Sequence, residues 1–367
     1  MKNKLLPIVF CSFLAVISLL TVILPKKQKS ENEKRLLKVF PELTTDAIAD
    51  NSYTADLEEY VADHIVLREQ LYGITSYANY LLGMNGRNGV YVTKSGYLVA
   101  KATVLNEERA DKNIGYIKKF ADKANVQVKI MAVPTKGYVL ESEIPDGFCE
   151  YYDDLICEKL SNSGLSVIDL RSDFKALSSG CQLYYTTDHH TNSNGALIMY
   201  NAICDSFSLE KKQFVNSRTV SGFYGTTYSK SGLWLTRADN IEIYTAAEPS
   251  SFTVTVDSAD VYDSLFFEDK LETQDKYEVF LGGNHGLTKI TNNTLKNGKR
   301  LLIIKDSFSH CVSTMLAESY EEIYLIDPRY YTKSTQALIK ENDFTEILFI
   351  YGVENIAGST DISRINY

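Results

Sequence analysis

Short, uninterrupted apolar runs, each followed by a stretch with helical spacing, do most to limit what this chain can fold into. "VQVKIMAVP" and "LSVIDL" alternate with helical stretches around Glu107 to Ala124 and Tyr152 to Ser161. The rhythm returns as "RLLIIKDSF", a helix to Tyr320, "EIYLIDPRYY", a further helix and "EILFIYG". A strand that is apolar on both faces must be covered on both, so these runs predict an α/β fold with a parallel sheet flanked by helices. Between the two halves, residues from about 211 to 271 contain alternating, turn-rich sequence such as "SFTVTVDSADVY", which predicts a β-rich insertion. "GVYVTKSGYLV" predicts a hairpin turning at Lys94, Ser95 and Gly96. Ligands of open α/β sheets bind beyond the carboxyl ends of the strands, so a site should draw on both halves.

The second constraint lies at the N-terminus. Leu5 to Leu24, "LLPIVFCSFLAVISLLTVIL", carries no charge and has the length that a bilayer core requires. It exceeds a normal signal-peptide apolar core, no small-x-small cleavage site follows, and Pro25 and "KKQK" come next, so residues 1–25 read as an uncleaved membrane anchor. Residues 26–50 read as a juxtamembrane linker and 51–367 as the α/β domain. Lys26, Lys27, Lys29, Lys34 and Arg35 outnumber Lys2 and Lys4, a bias that by itself would leave the domain in the cytoplasm, although long domains can translocate against it. From Thr54 to Leu82 apolar residues recur at helical spacing, with Thr54 as the expected cap; His64 within it reads as a packing or surface residue.

A formal net charge of -9 argues against nucleic acid as a partner. The six cysteines have neither C-x-x-C spacing nor interleaved histidine, so buried thiols are expected, with Cys149 and Cys157 as a candidate local pair. The 25 tyrosines against a single tryptophan could stack on sugars or simply pack at element edges.

Chemistry concentrates in a few loops. The run Leu301 to Ile304 reads as a buried strand and Phe308 to Leu316 as a helix, which puts Ser307 on the turn between them, where free backbone N–H groups can hold a developing oxyanion. Asp306 or Ser307 could equally be only the helix cap. In "YYTTDHHT", Asp188 and His190 could be an orienting carboxylate and a general base, the partners a serine nucleophile needs, or Asp188 could cap the helix expected from about Asn194. Asp188, His189, His190, His285 and His310 are the available metal ligands, but adjacent histidines diverge and no H-E-x-x-H pattern supports a metal, so no cofactor is expected. "FLGGNHGLTKI" lacks the phosphate-loop Lys; after an expected strand "KYEVFLGG", its turn reads as a hairpin or as an oxyanion-binding turn through Gly283 and Asn284. The G-x-S-x-G elbow is absent.

Together, "DHIVLREQ", "YYTTDHHT", "FLGGNHG", "LLIIKDSFSH" and "YLIDPRYY", in this order, resemble the DHHW proteins, relatives of the alginate O-acetyltransferases within the SGNH hydrolase-like superfamily. The resemblance implies an SGNH-like α/β fold with Ser307 as nucleophile, His190 as base and Asp188 as its orienting carboxylate. His189, Asp306 and Tyr185 are expected as supporting residues, His189 pointing away from the serine into packing or a backbone hydrogen bond. It also implies an extracytoplasmic, single-pass protein that transfers or removes O-acyl groups on an envelope or exopolysaccharide, alongside a multi-pass membrane O-acyltransferase as a partner. Arg329 would then bind an acidic sugar, brace the site or form a structural ion pair. The Trp that names the family is Thr191 here, a change expected to alter substrate stacking. The chain after the α/β core leaves no room for a C-terminal carbohydrate-binding domain.

Overall fold

A computed structural model describes residues 4–30 and 35–366. They fall into two compact units, one formed by residues 1–88 and 228–236, the other by 89–227 and 237–367.

In the first unit, the helix Leu5–Ile23 has 19 residues, none of them buried. At 1.5 Å per residue it is about 28 Å long, enough to cross a bilayer core. Part of the linker is structured: Lys29–Ser30 pair with Arg35–Leu36, and a short helix, Thr45–Ala49, is capped by the Thr44 hydroxyl. Residues 1–3 and 31–34 lie outside the described residues. The helices Ser52–His64 and Arg68–Leu81 follow. Thr54 is not the cap: Asn51 takes that position in left-handed backbone, and the Asp50 carboxylate accepts from Ser52 N at 2.9 Å. Gly73 is required where it stands, because a Cβ there would lie 1.9 Å from the Trp234 ring.

The second unit is built on one sheet. Its strands, numbered along the chain, are β1 (Gln127–Val133), β2 (Ser166–Asp169), β3 (Phe252–Val256), β4 (Asp260–Tyr262), β5 (Leu287–Asn292), β6 (Arg300–Lys305), β7 (Glu322–Ile326) and β8 (Glu346–Gly352). The spatial order is β4-β3-β5-β7-β6-β8-β1-β2. From β7 to β2 the neighbours are parallel, as the apolar runs predicted. Alternate residues feed two cores: Met131, Leu301, Ile303, Leu348 and Ile350 join one, while Ile130, Leu302, Ile304, Ile347 and Phe349 join the other. Both faces of these strands are therefore covered, which is why their sequences show no polar alternation.

The sheet is mixed rather than wholly parallel. β5, β3 and β4 add antiparallel to the β7 edge. The expected insertion thus divides: Phe214–Phe223 and Asp239–Ala246 form a separate ribbon, whereas 252–256 and 260–262 extend the central sheet. Asp257 and Ser258 adopt positive φ, so the chain reverses between Val256 and Asp260, a connection too short for anything but an antiparallel pair. A second departure is "KYEVF": Lys276–Val279 is a turn of 3-10 helix, and Phe280 makes only an isolated bridge to Phe266. The hairpin Val90–Val92 with Leu98–Ala100 and the helices Glu107–Ala121 and Asp153–Asn162 lie close to their predicted positions.

Cys149 and Cys157 are not paired, and all six cysteines are free thiols. Cys157 faces inward from its helix into the core, and burial pushes its thiol up to about 12. Ellman titration of the denatured, unreduced chain should therefore count six thiols, and reductant should leave the melting temperature unchanged; four thiols would indicate a bridge.

Candidate active site

β6 ends at Lys305 and the helix Ser309–Leu316 starts four residues later, so Asp306 and Ser307 form the turn at the carboxyl end of the strand. Asp306 is buried and tied on three sides. Its Oδ1 accepts from Phe308 N at 2.9 Å, and its Oδ2 from Gly352 N at 2.8 Å and Asn355 Nδ2 at 2.7 Å. Burial pushes its pKa up, while these three donors oppose the shift. Asp306 thus folds the turn and pins it to the end of β8. Ser307 is not a cap, since its Oγ points to His190 Nε2 at 2.8 Å.

The loop bearing Asp188 and His190 is closed by an antiparallel bridge between Tyr184 and Thr191, with Tyr185 N donating to His190 O at 3.2 Å. The following helix, Ser193–Phe207, is capped by Asn192, so Asp188 is free for another task. Its Oδ1 accepts from His190 N at 3.0 Å and from His190 Nδ1 at 2.5 Å. Its Oδ2 accepts from Thr226 N at 2.6 Å and from the Thr226 hydroxyl at 3.0 Å. Burial opposes ionisation, but His189, His190 and the hydrogen bonds from His190 prevail and hold Asp188 well below the usual carboxylate range. With Nδ1 a donor to Asp188, His190 presents Nε2 as acceptor to the Ser307 hydroxyl. Asp188, His190 and Ser307 therefore form one continuous relay of hydrogen bonds.

His189 does not turn away into packing. Its Nδ1 lies 2.9 Å from the Thr226 hydroxyl, its ring is 3.9 Å from that of His190, and its side chain is 44% exposed. Asp188, His189 and His190 bring three potential ligand atoms within 4.8 Å of one another. As a metal site they fit poorly: both Asp188 oxygens accept hydrogen bonds from protein donors, and His190 Nδ1 is committed to one of them.

Tyr185 is buried beside this loop, its ring edge-on to Phe223 and Tyr277. Arg329 pairs with Asp327 through two nitrogens, at 2.9 and 2.6 Å, and its Nη2 reaches Asn284 Oδ1 at 3.1 Å. Neither Arg329 nor Asn284 makes a hydrogen bond or ion pair with Ser307 or His190. The Gly283 N–H turns back toward Phe280 O at 3.5 Å, which weakens its case as an oxyanion donor. Arg329 instead lines a cavity of about 640 Å³ together with Arg109, Asp306, Tyr351 and Asn355. Thr191 is fully buried, its hydroxyl against Met199 Sδ at 3.7 Å. A larger residue in this backbone would have to enter the core.

Several supports were invisible in the sequence. Lys136, buried just after β1, donates to the carbonyls of Tyr185 at 3.1 Å, Thr186 at 3.3 Å and Asp188 at 2.6 Å, and burial lowers its pKa to about 8. Asp239 accepts from the Thr186 and Thr187 amides at 2.8 and 2.7 Å. Gly225 packs so closely that a Cβ would lie 2.1 Å from Asp188 Cβ. The one available signal was the position of Lys136 at the carboxyl end of a parallel strand.

A family model described as DHHW protein matches residues 174–326, which include Asp188, His190 and Ser307. The structure is similar to that of a DHHW family protein from Eubacterium siraeum, at 25% identity and TM-score 0.66, over 76% of this chain and 96% of that one. It is also similar to PatB1 of Bacillus cereus with a sulfonyl adduct, at 19% identity and TM-score 0.63, over 76% and 98% of the two chains. The O-acetyltransferase domain of Pseudomonas putida AlgJ matches at 12% identity and TM-score 0.47, over 75% and 94%. No curated protein sequence matches the chain. The α/β fold with its central sheet and the resemblance to DHHW proteins stand.

Gly225→Ala should displace Asp188 and cost activity without unfolding the domain. A shift of about 1 Å in such a group costs about 100-fold in rate. A variant that keeps wild-type kcat with an unchanged melting temperature would show that Gly225 does not set the Asp188 position.

Proposed function

We propose that this chain, DHHW-like over residues 174–326, is a membrane-anchored acyltransferase or esterase that works through an acyl-Ser307 intermediate. The observation that carries the reading is the relay from Asp188 through His190 to Ser307, with spacings of 2.5 and 2.8 Å. In the first half-reaction His190 Nε2 takes the Ser307 proton while Oγ attacks an ester carbonyl. The carbonyl oxygen becomes an oxyanion, and the Ser307 N–H, which donates no hydrogen bond among the described residues, is a candidate donor to it. As the tetrahedral centre collapses, the ester C–O bond breaks and the departing alkoxide receives the proton from His190. In the second half, a sugar hydroxyl or water gives its proton to His190 and attacks the acyl carbon, and Ser307 leaves with that proton. Asp188 stays ionised and holds the imidazole in the required tautomer.

O-acetyl esters of an envelope polysaccharide are the proposed substrates, with Arg329 and Asn284 on the sugar rather than on the reacting carbonyl. A multi-pass membrane protein supplying acyl groups would be the partner. Since PatB1 has been obtained as a sulfonyl adduct, a sulfonyl fluoride is a suitable probe. It should add one sulfonyl group to the wild type, detected by intact mass, and none to Ser307→Ala. Ser307→Ala should fold normally, since the hydroxyl contributes one hydrogen bond worth about 1 kcal/mol, and should lose at least about 10⁴-fold in acetyl-ester turnover. His190→Ala should match that loss, His189→Ala should fall far short of it, and chelator should have no effect. Equal losses at the two histidines together with chelator sensitivity would favour a metal; wild-type turnover in Ser307→Ala would leave a binding protein with this fold.

An extracytoplasmic position follows from the same reading. Protease added to spheroplasts should digest the domain while a cytoplasmic marker survives. Complete protection of both would put the domain inside.

A further inference from the structure

We infer that Tyr277 is a positioning residue whose ring face supports the charge that His190 acquires when it takes the serine proton. This rests on the proposed roles of Ser307 and His190. The Tyr277 ring lies parallel to the His190 imidazole, with centroids 4.2 Å apart and planes within 13°. Its hydroxyl donates to the Ser307 carbonyl at 3.3 Å. Burial first, then nearby Cys311 and Asp188, hold the phenol well above its ordinary pKa, so it remains a donor. One side chain therefore touches both the base and the backbone of the nucleophile, and it helps fix the spacing between them.

The physical effect follows from the ring. Its π-face is negative, and an imidazolium stacked on it is favoured over a neutral imidazole, more so away from solvent. Proton transfer breaks the Ser307 O–H bond and forms an N–H bond at His190 Nε2; Tyr277 exchanges no proton in this step. It favours the product side of the transfer, complementing Asp188 at Nδ1. The other titratable groups around the two rings are Asp188, His189, Lys136 and Asp306, with Cys311, Tyr185, His310 and Lys305 around Tyr277, whose ring lies 6.0 Å from those of Tyr185 and His310. All of these remain in a variant at position 277, so a change in His190 behaviour reports the ring.

The experiment places Phe, and then mono-, di- and trifluorinated phenylalanines, at position 277 of the full-length chain in detergent. Fluorination drains the π-face while nearly conserving shape. Two readouts are taken: titration of the His190 imidazole by NMR in the Ser307→Ala background, and kcat and KM for a neutral acetyl ester in the Ser307 background. Tyr277→Phe should keep the titration midpoint. Across the fluorinated series the midpoint and the acid limb of kcat/KM should move to lower pH by about half to one unit. Over the same series kcat should fall stepwise with KM unchanged. A midpoint constant through the series overturns the inference, whatever the rates do. A midpoint that moves in a protein without Ser307-dependent turnover upholds the electrostatic role of Tyr277 while removing the proposed reaction.

Discussion

The site depends first on the buried carboxylate of Asp306. Parallel strands end with unsatisfied backbone groups, and a turn leaving such an end has no ladder to hold it. Asp306 supplies the missing contacts: it folds its own turn through Phe308 N and fastens it to β8 through Gly352 N and Asn355. Each buried donor left without that carboxylate would cost about 1–3 kcal/mol. Close approach makes this possible, for a Cβ on Gly352 would lie 2.5 Å from the Phe308 ring. Ser307 can then spend its hydroxyl on His190 rather than on the backbone.

The opposing loop solves the same problem with a cation. Lys136 gathers three carbonyls of residues 185–188, and Asp239 takes two amides from the same loop. Burying an ammonium group is costly, as its lowered pKa records, but three carbonyl acceptors offset part of that cost. Asp188 is thereby fixed before it meets His190, and its second oxygen is occupied by Thr226. A carboxylate satisfied on both oxygens can orient an imidazole without rotating away.

The central strands were legible because continuous apolar runs have few other uses, and the loops that the structure brings together were marked by two adjacent histidines in a chain with five and by a serine at the end of a buried strand, although Ser and Asp are common turn and cap residues. The antiparallel edge was not, since β3 and β5 alternate in burial as strands of any small sheet would. Reading 276–279 as a strand concealed Tyr277, one tyrosine among 25 and distinguished only by what packs against it. Gly225 acts through its close approach to Asp188, far away in the chain, which no local pattern encodes, and Lys136 had only its place at the end of a parallel strand to mark it. Thr191 shows how sequence adjacency and spatial role can part: it follows His190 in the chain, yet the bridge to Tyr184 turns its side chain into the core.

A second layer of charge lies behind the turn that carries Ser307. Lys305 Nζ is 2.7 Å from His310 Nε2 and 3.5 Å from Asp327 Oδ2, and Asp327 in turn holds Arg329. Burial, then Lys305, keeps His310 well below its ordinary pKa, so its Nε2 accepts from the ammonium group. Burial also brings Lys305 down to about 8, against the pull of Asp327. This network joins the ends of β6 and β7 as Asp306 joins β6 to β8, so the strand that delivers Ser307 is held on both sides. Buried ion pairs rarely add net stability, and here their position suggests the other use of such groups, fixing one geometry among several of similar energy. That is what holding Ser307 Oγ 2.8 Å from His190 Nε2 requires.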